Sequence, residues 1–413
     1  MKRIAVAMAL IAGVGTLAGC SGSSPDSGSK GGTIILATGK DTTHKWQSII
    51  DQGWNANHKV KVKLQELSDK ADEQRNSMVQ VFQAKNSRYD IVNMDVIWTP
   101  EFAAKGWITD LPKSDFKIDD YLPATVDSAS WRGKLYAAPF TSDGGMLFYR
   151  KDLVSTPPTT WEQMIQDCTT IAKPKGIGCY AGQYAQYEGL TVNFDEAIRS
   201  AGGEILSDDG KTVKVDSSQA KAGLDFLVNG FKQGYIPKDA IGYQEEQSRT
   251  AFQQGQLLFL RNWPYVYGNA IADPNIKDKF AIAPLPKGPG GKGVSSLGGH
   301  NLAVSKFSKH QKDAIDFLKW MTGKQGEKPV TEEMTLAPTI ASLYDDPALQ
   351  SKLPYLSTLK KSIESAAPRP KTPVYNDVTQ VIEQNAYAAL QGSKSPDQAL
   401  KDMASQLKDK IKE

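Results

Sequence analysis

The sequence has few of the residues that most metal, redox and nucleic-acid chemistry requires. Its 413 residues include only three cysteines and four histidines (44, 58, 300, 310), and the histidines are scattered with no ligand-like spacing. That argues against a metal site. No charge of one sign dominates either: 49 basic against 46 acidic residues leave a formal net charge of +3. Nucleic acid is excluded as a partner on that ground, because no basic excess exists to replace phosphate counterions. There is no basic stripe and no internal repeat, and no stretch beyond residue 17 is apolar enough to cross a membrane.

What is present begins at the N-terminus. Lys2 and Arg3 precede a charge-free apolar run from Ile4 to Leu17. The run is too short for a comfortable permanent span and reads as the core of a signal peptide. Its end, Leu17-Ala18-Gly19-Cys20, resembles a bacterial lipobox. That resemblance implies cleavage after residue 19, lipidation of Cys20, and export to the outer face of the bacterial cytoplasmic membrane. A single membrane-spanning anchor is the plainer alternative. Residues 20–32 are Ser/Gly-rich, with almost no large apolar side chain to bury, and read as a flexible leash. With Cys20 assigned to the anchor, Cys168 and Cys179 remain, 11 positions apart. In an exported protein such a pair is more often a disulfide than two free thiols.

About 380 residues are left, enough for two domains with substantial cores. Strand patterns at Thr33–Ala37, Lys59–Leu64 and Tyr89–Met94 alternate with helical stripes on Trp46, Ile49, Ile50 and Trp54, then on Met78, Val79 and Phe82. This predicts an α/β lobe with a mostly parallel sheet. Further strands are predicted at Met146–Tyr149, Gln256–Leu260, Phe280–Leu285 and Asn301–Ser305. One helix ending near Gly234 has Ser217 or Ser218 as its cap, and Ser395 and Pro396 open a last helix with Leu400, Met403, Leu407 and Ile411 as its stripe. The turn Thr141–Gly145 and the Pro/Gly-rich stretch Pro286–Gly293 read as crossings between lobes.

Flat aromatic faces and planar polar side chains are the groups that hold a pyranose in water. Several segments offer them beside predicted strand ends, where α/β clefts form. Asp95 follows an apolar strand, although it also reads as a plain helix N-cap. Asp143 sits in the turn before Met146. Trp263 and Tyr265 flank Pro264, and taken alone they serve equally well as packing. Gly298 and Gly299 can bring backbone close to a ligand. Arg369 stands between two prolines, and a lone arginine there is most often a surface ion pair.

Together these segments resemble the extracellular solute-binding proteins of carbohydrate ABC importers, and among them the trehalose and trehalose/maltose-binding lipoproteins. The stretches that carry the likeness include Glu73-Gln74-Arg75, Met94 to Trp98, Gly133 to Ala137, Phe148 to Leu153 and Tyr187 to Leu190. Glu245-Glu246, Asn262 to Tyr265, Leu297 to Gly299 and Pro368 to Pro370 complete the set, in family order. The resemblance implies a two-lobed, periplasmic-binding-protein-like α/β fold of type II, with mixed sheets flanked by helices and a sugar cleft between the lobes. The first lobe would comprise 33–141 and 299–343, the second 142–298 and 344–413. It implies a monomer that captures a glucose-containing disaccharide, best matched by trehalose, and presents it to importer permease subunits with no cofactor. Residue by residue, Arg75 and Asp95 would serve from the first lobe. Asp143, Glu246, Trp263 and Tyr265 would line the second. Gly299 would approach through its backbone and Arg369 would reach hydroxyls. Asp41 or Thr42 lies where the family often places a carboxylate. His300 and Thr141 depart from the family pattern, at positions that bear on the second sugar ring.

Two rival readings stand beside this one. Another α-glucoside (maltose, sucrose or a glucosylated polyol) would use the same groups. A secreted glycoside hydrolase would use two carboxylates such as Asp95 and Glu246, about 5 Å apart in a retaining enzyme.

Overall fold

The computed structural model describes residues 31–412. The signal peptide and Cys20 lie outside the described residues, as does nearly all of the leash. Nine strands build two main sheets: β1 (Thr33–Thr38), β2 (Lys61–Glu66), β3 (Ile91–Asp95), β4 (Ala138–Gly144), β5 (Met146–Arg150), β6 (Gly178–Ala181), β7 (Leu257–Asn262), β8 (Phe280–Ala283) and β9 (Leu297–Val304). The first sheet has the order β2-β1-β3-β9-β4, the second β8-β5-β7-β6.

Each sheet supports its own core. Ile34, Leu36, Val62, Ile91, Met94 and Phe317 pack in the first. Leu147, Phe148, Phe194, Phe252, Leu258 and Leu400 pack in the second. The stripe Trp46, Ile49, Ile50 and Trp54 is buried, but it runs through helix Trp46–Ile50 into a wider turn at Asp51–Asn55. Ser217 caps helix Ser218–Gln233 by accepting the Ala220 N–H, and Gly234 ends it at φ 81°. Ser395 likewise caps helix Pro396–Lys410, whose buried stripe includes Leu400, Met403 and Leu407, while Ile411 lies past its end and is half-buried.

The expectation of mostly parallel sheets holds only in part. β1 pairs in parallel with β2 and β3, and β6 with β7. β9 runs antiparallel to β3 and β4, and β5 antiparallel to β7 and β8. The reason is connectivity. Parallel neighbours need a crossover, whereas β9 enters the first sheet from the other lobe and so runs away from the cleft that β3 approaches.

The chain passes between the sheets at Gly145, between β4 and β5. The return does not occur within Pro286–Gly293, which differs from the sequence expectation. That loop binds the second lobe throughout: Lys287 N–H donates to Thr159 and Gly290 N–H to the Ser200 carbonyl. The crossing comes later, at Ser295–Leu297, where Glu196 accepts from Ser296 N–H and Asp195 accepts from the Ser296 hydroxyl. A third passage lies between Met334, in the first core, and Ala337, Ile340 and Leu343, in the second. A disulfide joins Cys168 to Cys179 and ties β6 to the helical turn before it. Among the described residues no helix is long and apolar enough to cross a membrane.

Candidate functional site

Thr38, Asp95, Asp143 and Gly298 stand at or beside strand ends that face one cavity of about 260 Å³ between the lobes. Ten residues predicted from sequence line it: Asp41, Thr42, Asp95, Asp143, Glu246, Trp263, Tyr265, Gly299, His300 and Arg369. Arg75 does not. The Nε–Nη2 edge of Arg75 donates to Glu101, with Nη2 at 2.6 Å, on the flank of the first lobe. The preceding residue, Gln74, lines the cavity in its place, because adjacent helical residues point about 100° apart.

The aromatic wall is built from the sheet upward. Arg261, fully buried in β7, is fixed by Glu196 (Nε to Oε2, 2.6 Å) and Gln183 (2.9 Å). The Trp263 ring lies over that guanidinium at 4.0 Å, so one face is held by a cation–π contact. Gly298 makes room for it, since a Cβ there would come within 2.8 Å of the indole. Gly299 has a separate task. It adopts φ +105°, just before the bulge of β9 at His300–Asn301, and a Cβ would meet the Thr141 carbonyl at 2.1 Å. The bulge sets the half-buried His300 beside the cleft, with its N–H donating to Thr141 Oγ1 (3.0 Å). Burial holds the imidazole below its ordinary pKa, so it is neutral at pH 7.

The acids divide into engaged and free. Asp95 Oδ1 accepts from Ile97 N–H, as a helix cap does, and also from Arg369 (2.9 Å). The helix-cap reading of Asp95 is therefore realised, and its second contact is an ion pair with Arg369. Arg369, 4 % exposed, reaches on to Glu188 (2.6 Å), which also accepts from the Tyr375 hydroxyl. Burial would raise Glu246, but hydrogen bonds from Arg249 and from the Tyr265 hydroxyl (2.6 Å) bring it below its usual range. Asp41 is a structural cap: its oxygens accept from the N–H groups of Thr43, Lys45 and Trp46 and from the Thr43 hydroxyl. That leaves little capacity for a ligand. Thr42 sits exposed at the rim. Asp143 differs from all of these. Its carboxyl has no hydrogen-bond partner among the described residues, and burial, then the charge of Asp95, pushes it up to about 7.

A cleft between two α/β lobes, with a cation-backed indole and a free carboxyl, is a place to hold a polar solute. The model for bacterial extracellular solute-binding proteins matches residues 39–328. This chain belongs to that family. A probable ABC transporter-binding protein of Deinococcus radiodurans is 34% identical over 364 residues, spanning 84% of this chain and 86% of that protein. The galactooligosaccharide-binding protein of Bacillus subtilis is 24% identical over 425 residues, covering 100% of this chain and 98% of that one. The structure of maltose-bound T. maritima MalE3 superposes with a TM-score of 0.85 at 32% identity, covering 91% of this chain and 99% of that one. The periplasmic-binding-protein-like, two-lobed fold is thus the fold of this solute-binding protein.

Sequence reasoning missed part of its site. Trp46 lines the cleft, stacked on Phe140 with centroids 4.9 Å apart, but it heads a helical stripe and was absorbed into the core pattern. Glu188 opens a helix and signals nothing by spacing. Its role depends on Arg369, 181 positions away. Among the described residues no cluster of three metal-ligating side chains occurs.

Proposed function

We propose that this solute-binding protein captures a glucose-containing disaccharide, trehalose being the best candidate, and delivers it to an ABC importer from a lipid anchor at Cys20. The observation that carries the reading is Trp263. It is half-exposed, held on one face by Arg261, and flanked by the carboxyls of Asp143 and Glu246 within the same cavity. A pyranose stacks on such a face while carboxylates accept its hydroxyls. Maltose in the T. maritima relative and galactooligosaccharide in the B. subtilis one support a saccharide ligand. Maltose or another α-glucoside is the second reading, favoured by the maltose-bound structure.

Capture, rather than hydrolysis, suits these carboxylates. The Asp95–Glu246 pair that a glycosidase would use offers no protonated acid, since Glu246 is held ionised by Arg249 and Asp95 is paired with Arg369. The matched relatives are binding proteins. Calorimetric titration with trehalose, maltose, sucrose and galactooligosaccharides tests the reading. Micromolar or tighter binding of trehalose above the others is expected, and no binding of any saccharide would overturn it.

A further inference from the structure

The two carboxylate oxygens of Asp95 are used differently. Oδ1 accepts from the Ile97 N–H (3.1 Å) and from Arg369 Nη2 (2.9 Å), whereas Oδ2 has no hydrogen-bond partner among the described residues. Behind Oδ1 stands a network drawn from both lobes. Arg369 Nη1 donates to Glu188 Oε1 at 2.6 Å, and the Tyr375 hydroxyl donates to the same oxygen at 2.7 Å. Asp95 ends β3 in the first sheet, while Glu188 opens helix Glu188–Ser200, whose Leu190, Phe194 and Ile198 pack in the second core. The Tyr375 ring packs against the first core as its hydroxyl serves Glu188. One guanidinium thus ties a cleft carboxylate of one lobe to a buried carboxylate of the other.

Exposure separates the member that meets a solute from those that stand behind it. The Asp95 side chain is 18 % exposed, that of Glu188 6 % and that of Arg369 1 %. Arg369 Nε is buried with no partner among the described residues, and Nη2 also lies 3.4 Å from the Leu297 carbonyl. Asp95 is therefore the part of the network most open to the cavity, and its open valence is Oδ2.

We propose that Arg369, Glu188 and Tyr375 are positioning residues, which fix the Asp95 carboxylate so that its Oδ2 accepts a sugar hydroxyl. The proposal rests on the sugar-cleft reading above, and it gives Arg369 a task other than the direct hydroxyl contact that the family likeness implies. A carboxylate turns about its Cβ–Cγ bond. Two donors on one oxygen arrest that turning, so a bound sugar need not order the group itself. Arg369 does this only while it is itself held. A buried guanidinium needs its charge matched, and Glu188 supplies the second carboxylate through a charge-assisted bond. The Tyr375 hydroxyl in turn orients Glu188.

The test is calorimetric titration with whichever of trehalose, maltose, sucrose and galactooligosaccharides binds the unaltered protein most tightly. Burial pushes Glu188 up to about 7, so the titrations are run at about pH 8, where it is ionised. E188Q keeps the shape and removes the charge, and should weaken binding about three- to tenfold. Y375F removes one hydroxyl from a packed ring and should weaken it about two- to threefold. A merely structural network would lower the melting temperature without reference to Asp95, so the decisive reading is a double-mutant cycle. In a D95N background E188Q should cost less than about twofold more, because the oxygen it positions has already lost its charge. In a D143N background the full loss should persist. Equal losses from E188Q in the two backgrounds, or unchanged affinity in both E188Q and Y375F, would overturn the positioning role and leave the sugar reading intact. Binding of no saccharide by the unaltered protein would overturn both.

Discussion

Trp263 shows how a single side chain acquires a role from its support. The indole is fixed beneath by Arg261, itself held by Glu196, so the ring is presented as a rigid platform. Trp263→Ala should therefore weaken sugar binding by about 2–4 kcal/mol, roughly 30- to 1,000-fold. Because the ring is half-exposed, the melting temperature of the ligand-free protein should fall only slightly. A sharp fall with intact affinity would mark it as core packing instead. Asp95→Asn keeps its shape but weakens both the Arg369 contact and acceptance from hydroxyls. We expect a loss of about 1.5–3 kcal/mol in binding, measured by the same titration. These roles were only half legible in the sequence. Asp95 and Trp263 stood out because a polar or aromatic residue followed an apolar strand, and Asp143 because it preceded one. Arg75 was suggested by the family resemblance alone, yet its partner Glu101 decides its orientation, and no local pattern reveals that pairing.

At the level of elements, β9 is the most demanding strand in the molecule. It must leave the second lobe, accommodate Trp263 over Gly298, pass through a positive φ at Gly299 and bulge at His300–Asn301, all between Leu297 and Asn301. Gly299→Ala would force a side chain into the φ +105° conformation and against the Thr141 carbonyl. It should destabilise the fold by at least about 2 kcal/mol, read as a lower denaturation midpoint, and should displace His300 from the cleft. A wild-type midpoint would show that the bulge can be rebuilt without glycine. The disulfide acts elsewhere, by restricting the unfolded chain between Cys168 and Cys179. For a loop of that length its removal, as in the Cys168→Ala, Cys179→Ala double variant, should cost about 3 kcal/mol. Sugar affinity should not change, because the bond lies away from the cleft, and titration of the folded variant checks this.

For the whole molecule, three neighbouring passages of chain connect the lobes, and they brace one another. Ser142 N–H donates to the Ala337 carbonyl, and Gly145 N–H to the Ser295 hydroxyl. Such a hinge bends without unfolding either core, since each sheet keeps its own hydrophobic set. If the protein closes on sugar, small-angle scattering should record a smaller radius of gyration at saturation, as expected for hinge closure of two lobes. An unchanged value would mean that the cleft is preformed.

The separate contributions of sequence and fold follow from the range of the forces involved. Local pattern alone pointed to most of the strands, several helices, the Gly234 and Ser395 termini, and the α/β class, although it read a turn at Thr141–Gly145 where β4 runs. Periodicity and capping are short-range effects that each segment carries within itself. The ordered motifs along the chain added the family and most of the cleft lining. Only the tertiary structure decided which acids are free and which are engaged. Asp41 became a cap, Glu246 an ion-pair partner and Asp143 an unpaired carboxyl because of residues brought to them by folding. It also decided that β9 runs antiparallel and that the return crossing lies at Ser295–Leu297. Those outcomes depend on which lobe supplies the hydrogen-bond partners of a loop, and a sequence read one segment at a time holds no term for contacts made across hundreds of residues.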